Sequence, residues 1–70
     1  MENKSQFLNR VGKKIKMVRK LRGISQEKLS EKLTIRANAL SKIEIGERDF
    51  HIMTLKSIAD ALKVDVKDFL

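Results

Sequence analysis

Between Ser25 and Gly46 the chain reads SQEKLSEKLTIRANALSKIEIG, and the spacing of its apolar residues leaves few ways to fold. Leu29 and Leu33 stand four apart, Leu40 and Ile43 three apart, and Ile35 falls between the pairs. Each pair marks the inner face of a short helix, and Ile35 plugs the joint. Two short helices meeting across a tight turn form a helix-turn-helix. Asn38 and Lys42 lie on the second helix opposite Leu40 and Ile43, so they face outward, where residues that read DNA bases have to be.

The flanking sequence extends this motif into an all-α domain. Leu8, Val11, Ile15, Val18 and Leu21 recur at spacings of three and four and predict a first helix up to Arg22, closed by Gly23 at C′. The polar segment 1–6 is expected to fray, leaving residues 7–70 as the domain. Ser25 is a fitting N-cap for the second helix, which runs to about Leu33. The third runs from about Arg36 to Ile45 and stops at Gly46. A loop, Glu47 to His51, leads to a fourth helix carrying Ile52, Leu55, Ile58, Ala59 and Leu62. Asp65 then caps a last short helix that returns Phe69 to the core. The expected architecture is five compact helices, with no strand-like alternation and no proline.

Seventy residues make one domain, and a chain of this length buries only about 60% of its unfolded surface. With no cysteine, neither a disulfide nor a thiolate zinc site can reinforce it. One histidine and no glycine-rich phosphate loop leave no basis for a nucleophile–base pair, a metal cluster, a cofactor or a small-molecule ligand. The chain therefore reads as a binding module and not an enzyme. No apolar run exceeds two residues, which excludes a signal peptide or a membrane span and points to a cytoplasmic protein.

The net charge of +7 is concentrated at one end. Residues 1–22 hold eight Lys or Arg and one acidic residue, whereas the remainder is nearly balanced. Clustered cations favour a polyanionic partner through counterion release, so double-stranded DNA is the expected ligand and a membrane surface the poor second. Lys13, Lys14 and Lys20 read as steering charges. Glu27, Glu31, Glu44 and Glu47 are candidates for surface ion pairs.

Taken in register, these residues resemble the lambda-repressor and Cro-like helix-turn-helix regulators of bacteria and phages, the xenobiotic-response-element family. The matching positions are Ile15 and Arg19, Ser25-Gln26, Leu29, Leu33, Ile35, Leu40-Ser41-Lys42-Ile43-Glu44, Gly46, Thr54-Leu55, Ile58-Ala59 and Leu62. They cover nearly the whole chain from Val11 to Phe69. Restriction-modification controllers and stand-alone phage or plasmid regulators are similar in length. The chain departs from the family pattern at Thr34, where a turn glycine is usual, at Arg36, where a Ser or Thr caps the third helix, and at Phe50, where the loop has proline.

The resemblance implies a transcriptional regulator that binds a palindromic operator as a homodimer. Asn38 and Lys42 fall at base-reading positions, with Arg36 able to reach a base or phosphate and Ala37 able to touch a thymine methyl. Gln26 falls where the family donates to a phosphate, next to Ser25 and the open amides of the second helix, while Arg48 and His51 flank the loop that meets the backbone. Phe50, Val64, Val66 and Phe69 are the expected dimer surface. Arg19, at the edge of the first helix's apolar stripe, and Glu44, next to Ile43, are expected to pair across the core. The alternative function is a protein-interaction module, such as a DNA-binding antitoxin or an adaptor.

Overall fold

The computed structural model describes all 70 residues. Four α-helices, α1 (Lys4–Leu21), α2 (Gln26–Leu33), α3 (Ala37–Glu44) and α4 (Ile52–Leu62), are followed by a 3-10 turn at Val66–Phe69. The expected fifth helix is thus a single turn, too short to propagate i to i−4 bonding. Asp65 caps it as expected, accepting from the Lys67 amide at 3.0 Å. None of the helices is long and apolar enough to cross a membrane.

The polar start is ordered into α1 and does not stand apart from it. Asn3 accepts from the Gln6 amide at 2.8 Å, and the Gln6 side chain accepts from the Asn3 amide at 3.0 Å, a reciprocal capping box that starts the helix at Lys4. Arg10 adds a second tie, donating twice to Glu2 and once to the Leu70 carbonyl while lying over the Phe7 ring. Its hydrogen bonds hold the Glu2 carboxyl below the usual range.

Val11, Ile15, Leu29, Leu40, Leu55, Ile58, Leu62 and Phe69 form the fully buried centre, one or more from every element. Complete burial of Phe69 removes it from any dimer surface. Phe50, Val64 and Val66 are half-buried against the same core. Phe50 precedes α4 and the valines follow it, at opposite ends of an 11-residue helix about 16 Å long.

Gly12 sets how closely α1 and α3 approach. A Cβ there would stand 2.6 Å from the Glu44 carbonyl oxygen and also strike that of Ile43, so the last turn of α3 lies directly on the α1 backbone. Even alanine does not fit.

All four α-helices end the same way. The amides of Ile24, Ile35, Glu47 and Val64 reach back five residues to the carbonyls of Arg19, Ser30, Lys42 and Ala59 at 2.9–3.1 Å. This closure requires a left-handed residue just before each amide. Gly23 and Gly46 supply it at two ends, but Thr34 (φ 57°) and Lys63 (φ 60°) supply it at the others. Ile35 and Val64 then fold back onto the core, which compensates for a left-handed strain of about 1–2 kcal/mol per residue. The helix-turn-helix thus keeps the glycine geometry without the glycine.

Thr34→Gly is therefore expected to stabilise the domain by about 1 kcal/mol, seen as a rise of roughly 4–8 °C in the melting temperature. Gly12→Ala should cost about 1–3 kcal/mol through the α1–α3 clash, measured by urea titration.

Candidate nucleic-acid interface

The site is assembled from the two short helices and the loops beside them. Leu40, Ile43 and Glu44 fix the inner face of α3, which leaves Asn38 and Lys42 exposed on the opposite side, one turn apart. Ala37 is half-buried at the start of α3, and Arg36 before it is exposed. Arg36 makes no side-chain cap, so the Ala37, Asn38 and Ala39 amides have no partner within the chain. An uncapped N-terminus next to outward polar side chains presents donors and positive potential together.

The start of α2 is a second cluster of donors. The Ser25 hydroxyl accepts from the Lys28 amide at 3.1 Å, and the Leu29 amide bonds to the Ser25 carbonyl. The Gln26 and Glu27 amides remain open. The Gln26 side chain is committed in an unanticipated way, with Nε2 donating to Glu44 Oε1 at 2.8 Å.

That bond belongs to a buried network. Arg19 Nε donates to Glu44 Oε2 at 2.7 Å and Nη2 to Oε1 at 3.2 Å, with the Glu44 side chain at zero exposure and that of Arg19 at 8%. Arg19 Nη1 donates to the Ile24 carbonyl at 2.8 Å. One carboxylate and one guanidinium thereby join α1, the connection to α2, the first residue of α2 and the last of α3. Glu44 is accordingly not a surface carboxylate, and Glu27, Glu31 and Glu47 enter no ion pair.

The loop after α3 is built around its own contacts. Gly46 (φ 79°) lies against Asn9 of α1, and Asp49 pairs with Lys4 at 2.8 Å and accepts from the Phe50 amide. The hydrogen bond from Lys4, and then that from Phe50, lowers the Asp49 pKa from its ordinary value. His51 serves α4 as its N-cap, its Nδ1 accepting from the Met53 amide at 3.0 Å. An accepting Nδ1 places the neutral ring's proton on Nε2, which remains a donor at the surface. Arg48 is exposed.

The structure thus brings Gln26, Arg19 and Glu44 together and leaves Ser25, Asn38, Lys42, Arg36 and Arg48 exposed. Gln26 as a partner of Glu44, and Gly12 beneath the end of α3, are the participants that sequence reasoning missed. A glycine inside an otherwise strongly periodic helix was the one available signal, since it costs about 1 kcal/mol relative to alanine and needs a packing reason.

A helix-turn-helix family model matches residues 15–69. The chain belongs to that family, the lambda-repressor and Cro-like domains, whose members are DNA-binding transcriptional regulators and not enzymes. Among solved structures, the wild-type restriction-modification controller protein C.Esp1396I is 32% identical, with a TM-score of 0.81 over 90% of this chain and 83% of its own. The DNA-binding domain of BldD is 28% identical, with a TM-score of 0.84 over 100% and 99% of the two chains. The controller protein C.AhdI from Aeromonas hydrophila shares the fold at 22% identity, with a TM-score of 0.86 over 90% and 96%. No curated protein sequence matches the chain.

Removing one side of the Arg19–Glu44 pair leaves a buried charge without its counterion. Arg19→Met or Glu44→Gln is expected to cost about 3–5 kcal/mol, and Arg19→Met with Glu44→Met together far less than the sum. Urea unfolding of the three variants measures the coupling; single variants as stable as the parent would show that the pair contributes nothing.

Proposed function

We propose that this chain is a sequence-specific transcriptional regulator of the controller type, binding a palindromic operator as a homodimer. The observation that carries this reading is the pairing of two donor clusters. Outward Asn38 and Lys42 stand on a helix with an uncapped N-terminus, and the open amides of α2 are bound to that helix through Gln26 and Glu44.

In this reading α3 enters the major groove. Asn38 pairs with adenine and Lys42 donates to guanine, with Arg36 reaching a base or phosphate and Ala37 against a thymine methyl. The start of α2 straddles the backbone, where Gln26 and Ser25 hold a phosphate, and Arg48 and His51 Nε2 contact the next stretch. The lysines of α1 raise the association rate and the salt dependence. Few long base-reading side chains per copy favour a symmetric dimer, with half-sites about 34–36 Å apart. Ile52 and Met53, each about 60% exposed next to half-buried Phe50, offer apolar surface for it. The controllers C.Esp1396I and C.AhdI, similar over most of their own length, support the regulatory role.

Selection from a random duplex pool followed by salt titration tests the function. A dimer neutralising about three to five phosphates per copy gives a log–log slope near −5 to −9. Asn38→Ala should cost about 1–3 kcal/mol and relax preference at one base pair per half-site, whereas Gln26→Ala weakens all sequences alike. A flat salt response, or a selected motif indifferent to Asn38, contradicts the reading. Sedimentation should give a dimer that Met53→Asp converts to a monomer.

A further inference from the structure

Arg19 neutralises the buried Glu44 carboxylate with two N–H donors, which leaves acceptor sites on its oxygens. Gln26 fills one of them, donating to Glu44 Oε1. A primary amide nitrogen carries two hydrogens, and with one directed at Glu44 the amide plane is set and the other hydrogen is directed away from the carboxylate. The backbone N–H groups of Gln26 itself and of Glu27, in the same first turn of α2, are unpaired.

We propose that Glu44 is a positioning residue for DNA backbone recognition, fixing the Gln26 amide so that its second N–H and the two open backbone amides converge on one phosphate. The inference rests on the assignment of Gln26 to a phosphate. A free glutamine side chain has to be ordered when it binds, and holding it in place beforehand removes that cost. Accepting a hydrogen bond from the amide also polarises it and strengthens its donation to the phosphate. Because Glu44 ends α3, the same bond ties the backbone anchor to the base-reading helix.

The test scans single methylphosphonate replacements along a duplex selected from a random pool. In the parent, neutralising one phosphate per half-site should lower affinity roughly tenfold, and in Gln26→Ala this loss should shrink to about threefold, the part that the two backbone amides supply. The variant Arg19→Met with Glu44→Met removes both buried charges and keeps the core apolar. It should respond to that methylphosphonate no more strongly than Gln26→Ala does, about threefold, while keeping the base preferences and the response at other phosphates. Full sensitivity there in the folded double variant overturns the proposal, as does a uniform weakening at every phosphate and base. If no phosphate depends on Gln26 even in the parent, the assignment of Gln26 fails and the proposal with it. The parent also gives a reading independent of any variant. In its 15N spectrum one Gln26 side-chain proton should exchange slowly and stay in place on addition of the duplex, while its twin shifts. Two freely exchanging protons would overturn the positioning role.

Discussion

A carboxylate at zero exposure costs several kcal/mol to desolvate unless its charge is countered and its lone pairs are filled. Glu44 meets both conditions with three N–H donors drawn from two other helices. The geometry that satisfies it dictates much else. Arg19 has to reach it from α1, so the two helices have to lie in contact, and the contact is possible because Gly12 has no Cβ to strike the end of α3. Gln26 has to reach it from the first residue of α2, which fixes the angle of the helix-turn-helix from within. A buried polar centre also penalises alternative packings that would strand the charge, which the apolar core alone would not do.

Strain in the turns follows from the same compactness. Four helices joined by short connections each close on a left-handed residue, and two of those residues carry a Cβ. Thr34 lies in the helix-turn-helix itself, where Ile35 and the Ser30 carbonyl leave no alternative path. The fold holds Thr34 in that conformation because Ile35 gains more by burial than Thr34 loses in its backbone. α3 begins just beyond, without a side-chain cap, and its open amides are a small instability retained at the surface, where in the proposed reading DNA would supply acceptors.

Much of this was legible in the sequence. Leu29, Leu33, Leu40 and Ile43 define two helix faces by spacing alone, and Ser25, Gly23 and Gly46 mark helix ends through well-understood backbone chemistry. The outward placement of Asn38 and Lys42 follows from the same wheel. The left-handed Lys63 was not legible, because nothing in a lysine signals positive φ. The Asn3–Gln6 box was missed because a polar opening resembles a frayed one. Phe69 was expected both in the core and on a dimer surface, and only packing decides between those. The bond from Gln26 to Glu44 joins residues 18 apart through side-chain rotamers, on which helical periodicity carries no information.

The central claim is that base-reading and backbone-holding groups form one surface made by α2 and α3. Its most direct measurement is a 15N chemical-shift titration of the full chain with a selected operator duplex. The account predicts the largest changes at the backbone amides of Gln26, Glu27, Ala37, Asn38 and Ala39 and at the Asn38 side chain, with the buried Leu55, Ile58 and Leu62 of α4 little moved. Changes concentrated on α4 and on residues 64–70, with those of α2 and α3 silent, would contradict it.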